Sequence, residues 1–152
     1  MEIFNTVSQD EIPQIRKQAS LVLNEMIKLI PKVSDAELLQ IFSKFTKDEQ
    51  DSVRMQGIDS CVCFAHQLPA HKVNAFLIPY IKKFGDDKSW RIRYLVADRI
   101  MDLASGLGYE AAKENLLPYY SSFLKDVESE VRTAAVGRMT DFCRILDAQS
   151  II

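Results

Sequence analysis

Apolar residues recur along the chain at the spacing of amphipathic helices, in stretches separated by short polar turns. In the stretch that follows Pro13, they fall at the three- and four-residue intervals of one helix face: Ile15, Ala19, Val22, Leu23, Met26 and Ile30. The same pattern predicts further helices over residues 38–45, 53–68, 73–84, 90–103, 109–124 and 130–146. No window alternates apolar and polar residues as a half-buried strand would, so the pattern predicts an all-α protein.

Several residues mark where these helices begin, bend or end. Ser34 and Glu37 have the S-x-x-E spacing of a capping box. Pro79 and Pro118 stand at equivalent positions in two helices, and a proline removes one backbone hydrogen bond, so we expect a shared bend there. Gly106-x-Gly108 is predicted to stop the helix that Trp90 opens.

One motif recurs four times, an Asp followed six residues later by an Arg that a β-branched aliphatic residue precedes. The four arginines lie 38 or 39 residues apart, which is typical of stacked helical repeats. The pairs are Asp10/Arg16, Asp48/Arg54, Asp87/Arg93 and Asp126/Arg132. The sequence therefore predicts one array over residues 1–152, with a partial repeat over 1–31 and full repeats over about 32–69, 70–108 and 109–147.

We interpret the Asp–Arg pairs as a structural ladder along the stack. Each Asp would accept backbone N–H bonds in its own turn and an Arg from its own or a neighbouring repeat. The alternative is an Asp at a helix start beside an unrelated, solvated Arg. On either interpretation the pairs have no catalytic role.

Composition excludes several function classes. The chain is 47% hydrophobic and 26% charged with a formal net charge of −2, so it can bury a core, and without a basic block it has no nucleic-acid footprint. No apolar run is long enough to cross a membrane, and the N-terminus lacks a secretory pattern. The three cysteines are odd in number and lie within apolar helical patterns, which favours reduced thiols and a cytoplasmic protein, or also a nuclear one.

The period and the motif resemble HEAT repeats, and three strings resemble a narrower family, the scaffold (A) subunits of serine/threonine protein phosphatase 2A. The strings are residues 48–54 (DEQDSVR), residues 87–94 (DKSWRIRY) and Glu130-Val131-Arg132. This resemblance covers essentially the whole chain and implies an α-solenoid of HEAT repeats, with antiparallel helix pairs stacked right-handed. It also implies a middle segment of a non-catalytic scaffold without cofactors.

The resemblance further implies that the turns within repeats form a ridge that a regulatory (B-type) subunit contacts, whereas the catalytic subunit would bind through repeats missing here. We define turns 1 to 4 as residues 9–14, 47–52, 85–90 and 125–130, and the turn ridge as all four together. The turns hold ten of the 21 acidic residues, so we expect an acidic edge that steers a basic partner. Alternatively, acidic residues simply favour helix N-termini.

Trp90 is the sharpest candidate for a partner-binding residue, because the only Trp lies between charged residues and not in an apolar stripe. With Arg91 beside it, the composition is that of a binding hot spot. The alternative is a ring that packs over a neighbouring turn. Weaker candidates for the same surface are Glu11, Pro13, Glu49, Gln50 and Asp51.

No catalytic or metal-binding motif stands out. Cys61, Cys63 and His66 could suggest a metal site, but Cys61 and Cys63 point apart on a helix, so core thiols are the simpler interpretation. Asp98 and Asp102 share a helix face that we expect to be solvated. The sequence thus predicts no enzyme, no metal and no cofactor.

Two further expectations remain open. A HEAT-repeat adaptor of the transport-receptor type, which binds a peptide or a small GTPase, is the alternative function. End-to-end self-association is also expected, because apolar residues stand at both ends of the array where natural arrays carry polar caps. These residues are Ile3, Phe4, Val7, Ile151 and Ile152.

Overall fold

The computed structural model describes residues 2–29 and 36–147, and every regular element in these two ranges is helical, which confirms the all-α prediction. The α-helices are α1 (Glu2–Val7), α2 (Pro13–Leu29), α3 (Ala36–Phe45), α4 (Asp51–Gln67), α5 (Ala70–Lys72), α6 (Ile78–Gly85), α7 (Trp90–Asp98), α8 (Ile100–Leu107), α9 (Tyr109–Asn115), α10 (Leu117–Phe123) and α11 (Ser129–Asp147). A π-helical segment, Val73–Leu77, joins α5 to α6.

The helices form two layers of a stack. Helices α2, α4, α7–α8 and α11 pack against one another in succession. Each of them also packs against the helix that precedes it across a turn, which is α1, α3, α6 or α10 respectively. Each helical pair thus covers the apolar face of the next pair, as in a solenoid. The predicted α-solenoid architecture is confirmed.

The core follows from this stacking. Phe42 of α3 and Phe64 of α4 are fully buried, with ring centroids 5.3 Å apart in an edge-on arrangement. Tyr80 of α6 lies 5.0 Å from Phe42 in the same geometry, so aromatic packing continues from one helical pair into the next.

The two prolines lie where the first helices of their pairs are interrupted, and the expected shared bend stays a prediction. Pro79 lies in the first turn of α6, directly after the π-helical segment, and Pro118 lies in the first turn of α10, directly after α9. A proline fits the first turn of a new helix because its missing N–H would have no intrahelical partner there.

The second helix of the third pair differs from prediction in two ways. It is not continuous, because Arg99 (φ −89°, ψ 6°) separates α7 from α8. Gly106 does not stop it but lies inside α8, where an added Cβ would stand 2.5 Å from the Cβ of Ala65 in α4. Glycine is therefore required for close helix packing. Gly108, with φ of +80°, does end α8.

Some predicted core positions are wrong. Val22 is exposed, because the buried face of α2 runs through Ala19, Leu23 and Ile27 instead. This face also holds Asn24, whose side-chain oxygen accepts a hydrogen bond from the Ser60 hydroxyl of α4. Cys143 is exposed, contrary to its apolar surroundings in sequence. Ile30, Ser34, the boundary at 31–32, Ile151 and Ile152 lie outside the described residues.

Candidate interaction surface

All four turns of the ridge are built in the same way. The carboxylate of each motif Asp accepts a hydrogen bond from the backbone N–H two residues later, over 2.8–3.0 Å. Such an Asx turn closes the polar corner locally, which explains why Asp occupies this position each time. The donors to Asp10, Asp48, Asp87 and Asp126 are Ile12, Gln50, Ser89 and Glu128 respectively.

Three of the four motif arginines, Arg16, Arg54 and Arg93, tie their own turn to the next one. Arg54 donates from Nη1 to the carbonyl oxygens of Asp48 and Glu49, at 2.8 and 3.0 Å. Its Nε and Nη2 form a bidentate pair with Asp87 of the following turn, both at 2.9 Å. Arg16–Asp48 and Arg93–Asp126 repeat this geometry at 2.6–2.9 Å. We call these three pairs the Arg–Asp ladder.

The ladder is largely withdrawn from water. Its arginine side chains are 7–16% exposed and its aspartate side chains 8–9%. At its ends, the Asp10 carboxylate has no Arg partner among the described residues, and Arg132 donates only to the carbonyls of Asp126 and Val127. In each of the three ladder pairs, the Arg of one helical pair reaches forward to the Asp of the next pair.

Hydrogen bonding keeps the ladder charged. The hydrogen bonds from the Arg93 guanidinium lower the pKa of Asp126, and their effect outweighs that of burial, which opposes ionisation. Burial would raise the pKa of Asp48, but the bonds from Arg16 and the Gln50 N–H overcome it and the pKa is lowered. Three turn carboxylates are thus neutralised by arginine, so the ridge is less acidic than its composition indicates.

The candidate partner-binding residues fall on turns that the ladder joins. Glu11 and Pro13 lie in turn 1, with Glu11 exposed and Pro13 half-buried. In turn 2, Glu49 and Gln50 are exposed, and Asp51 is half-buried. Because ladder bonds connect turn 1 to turn 2 and turn 2 to turn 3, these residues occupy one edge of the stack.

Trp90 of turn 3 is flanked by Ser89 and Arg91, and both of these neighbours contact Asp51 of turn 2. Trp90 opens α7 and is half-buried, packed against the hydrophobic core. The Arg91 guanidinium lies over the Trp90 ring, 4.8 Å from its centroid, and 3.8 Å from the Asp51 carboxylate. Ser89 Oγ also donates to Asp51 Oδ2 over 2.9 Å. Turns 2 and 3 thus present a continuous aromatic and charged surface.

Two exposed apolar residues of the ridge are absent from the sequence prediction. Ile12 in turn 1 is 56% exposed and Val127 in turn 4 is 86% exposed. The signal was available, because both are aliphatic residues inside polar turns and outside any helical stripe. They place an exposed apolar side chain on the ridge on each side of Trp90.

A second set of inter-pair ion pairs was also not predicted. Arg99 lies 3.2 Å from Asp59 of α4 and 3.7 Å from Asp98, and Arg138 of α11 lies 2.8 Å from Asp98. These side chains are 27–42% exposed, so these ion pairs are more accessible to water than those of the ladder. Asp98 is consequently paired and not simply solvated as expected. The repetition of Asp59 at Asp98 and of Arg99 at Arg138, each after 39 residues, was the available signal.

Other candidate chemistry has no support in the described part of the chain. Cys61 is buried, and burial raises the pKa of its thiol, whereas Cys63 is half-buried. No group of three or more His, Cys, Asp or Glu residues in the described ranges could hold a metal ion. Likewise, none of the described helices combines the length and apolarity that a bilayer span requires.

Comparison with known proteins agrees with the turn motifs. Over 107 residues, 69% of this chain, the sequence is 31% identical to the regulatory (A) subunit of protein phosphatase PP2A from Schizosaccharomyces pombe. It is 28% identical over 116 residues to the protein of the same name from Saccharomyces cerevisiae. The chain spans 18% of the length of each relative. The resemblance to a segment of this scaffold protein is confirmed, and a relationship to regulatory subunits agrees with the prediction of a protein that is not an enzyme.

A family model described as PIK3R4-like, middle domain, matches residues 33–149. The matched range includes turns 2 to 4 and all helices from α3 to α11. Because the match covers most of the chain, this protein belongs to the PIK3R4-like middle-domain family.

Proposed function

We propose that this chain is a non-catalytic scaffold segment of a protein phosphatase 2A holoenzyme and that its turn ridge binds a regulatory (B-type) subunit. The observation that carries the proposal is the Arg–Asp ladder, which joins four polar turns into one edge. The catalytic subunit would bind the scaffold through repeats outside this segment. A cytoplasmic location, or also a nuclear one, fits such a role and can be tested with a fluorescent fusion.

The proposed binding depends on how firmly the turns are held in position relative to one another. Bidentate, largely buried arginine–carboxylate pairs fix the orientation of each turn relative to the next, so that the ridge is preorganised and little side-chain freedom is lost on binding. The half-buried Trp90, covered by Arg91, supplies an aromatic anchor of the kind that dominates interface energetics. Ile12 and Val127 add apolar contact points along the same edge.

The test is a binding titration of the chain against a purified B-type regulatory subunit by biolayer interferometry. Replacing Trp90 with Ala is expected to weaken binding by about 1–3 kcal/mol, which is roughly a 5- to 150-fold rise in Kd. Met139→Ala is the matched control, because Met139 is a large exposed apolar residue on α11, away from the turns. It should leave Kd unchanged.

Two outcomes would contradict the proposal. One is unchanged affinity of the Trp90→Ala variant at an unaltered circular dichroism melt. The other is capture of a basic peptide or a small GTPase by the ridge with no binding of any phosphatase subunit, which would favour the transport-type adaptor.

We also propose weak end-to-end self-association of the chain. Of the three apolar residues near its beginning, Ile3 is 82% exposed, whereas Phe4 and Val7 are half-buried against the core. Sedimentation velocity should show a mass that rises with concentration and an Ile3→Lys variant that stays monomeric. A concentration-independent monomer would refute this expectation.

A further inference from the structure

A lysine-bearing groove lies between turns 2 and 3 and takes no part in the ladder. It has a volume of about 430 Å³ and is lined by Lys47, Asp48, Glu49, Arg54, Lys83, Asp86, Asp87 and Lys88. Lys47 and Lys88 come from the two turns, and Lys83 comes from the last turn of α6. We call these three residues the lysine triad. By count, the positive and negative groups that line the groove are equal in number.

Hydrogen bonding leaves fewer free carboxylates than free ammonium groups in the groove. Both oxygens of Asp48 accept from Arg16, and both oxygens of Asp87 accept from Arg54. Asp86 accepts a 3.0 Å bond from the Tyr119 hydroxyl. Three of the four carboxylates of the groove are therefore hydrogen-bonded, and the fourth, Glu49, lies 3.7 Å from Arg16. No member of the lysine triad forms an ion pair within the described part of the chain.

The environment of Lys83 also favours the binding of an anion. Its Nζ donates over 3.2 Å to the carbonyl oxygen of Thr46, a neutral acceptor. Partial burial, followed by repulsion from Lys47, lowers the pKa of Lys83. An ammonium group that is partly desolvated beside like charge gains stabilisation when an anion arrives.

We propose that this groove binds an acidic peptide segment of the partner protein, with its carboxylates on the lysine triad. The inference rests on the proposed function and adds to it a recognition element beside Trp90. The edge that composition marks as acidic thus holds a local cationic site at this groove, because Arg16 and Arg54 neutralise two of its four carboxylates, Asp48 and Asp87. A carboxylate-bearing segment complements this surface, and charge contacts of this kind set association rate and register.

The first experiment uses a fluorescein-labelled octaglutamate peptide as the probe, with octaglutamine as the uncharged reference, in fluorescence anisotropy titrations. The chain should bind the acidic probe and not the reference, and binding should weaken as salt rises. A triple Lys→Gln variant of the triad should raise Kd at least tenfold. The matched control is a triple Lys→Gln variant at exposed positions outside the groove: Lys72, Lys82 and Lys113.

Because Lys83 bonds to Thr46, the triple variant could lose stability, so a Lys47→Gln/Lys88→Gln double variant is measured as well. Both of these lysines are exposed, and this variant should keep the melting temperature while raising Kd several-fold. Equal losses in the groove and control variants would overturn the proposal, since they would indicate a general charge effect. Tighter binding of a single-stranded RNA of equal charge would overturn it too.

A second titration separates this proposal from the proposed function. Against the B-type subunit, the double variant should bind more weakly and with a smaller salt dependence than the native chain. If Trp90→Ala loses affinity while the double variant does not, the groove proposal fails and ridge docking stands. If neither variant loses affinity, both proposals fail.

Discussion

Removal of Arg54 tests whether the ladder holds the stack together. Its side chain is 7% exposed and that of Asp87 is 8% exposed, and the two form a bidentate pair at 2.9 Å. Arg54→Met keeps much of the apolar stem but leaves the Asp87 carboxylate without its guanidinium. Breaking a buried pair from one side typically costs about 3–5 kcal/mol, because a charge is left uncompensated. Arg54→Met also removes two donors from the carbonyls of Asp48 and Glu49.

The pairwise part of this loss is isolated by a double-mutant cycle with Asp87→Asn. We expect a coupling energy of about 2 kcal/mol or more for Arg54–Asp87. The control cycle uses Arg99→Met and Asp59→Asn, whose side chains are 40% and 35% exposed. An exposed pair contributes about 0–1 kcal/mol, so the second coupling should be small.

The assay is urea unfolding followed by circular dichroism at low salt and again in about 1 M NaCl, where the Debye length is near 3 Å. The Asp59–Arg99 coupling should fade in salt, and the Arg54–Asp87 coupling should persist. Couplings of equal size, or an Arg54–Asp87 coupling that salt abolishes, would refute the reasoning that burial makes the ladder strong.

Three further substitutions test the electrostatics and the helix contacts. Arg93 lowers the pKa of Asp126 in the folded state, so the unfolded chain takes up the proton first as pH falls. The stability that this ion pair contributes is therefore complete above the ordinary Asp pKa near 4 and is lost as pH falls through the folded pKa. Asp126→Asn should flatten the acid limb of the urea-derived stability profile, and an unchanged limb would contradict this. Gly137→Ala should raise the free energy of unfolding by about 0.5–1 kcal/mol, because its Cβ meets open space inside a helix. Gly106→Ala should lower that free energy by about 1–3 kcal/mol through its clash with Ala65, and the same sign for both substitutions would show the packing argument to be wrong.

Local regularities in the sequence were enough to identify the architecture. Helix periodicity repeats every three or four residues, and the Asx turn joins an Asp to a backbone N–H two residues away, so both are written in short stretches of chain. The motif period near 39 residues then required stacking, because a lone helical pair leaves its apolar face uncovered. Breaks at Pro79 and Pro118 followed from the proline ring alone.

Contacts between helical pairs could not be predicted from local sequence patterns. The motif spacing left open whether an Arg serves its own turn or a neighbour's. In the structure, the guanidinium groups of Arg16, Arg54 and Arg93 bond to both turns, and the carboxylate partner lies 32 or 33 residues away along the chain. The sequence pattern makes Gly106 a helix stop, yet its role is set by Ala65 of another helix. At the lysine groove, likewise, Asp48 and Asp87 are paired with Arg16 and Arg54, which lie 32 and 33 residues away along the chain. Each of these features depends on which surfaces face one another after stacking, and no local spacing encodes that geometry.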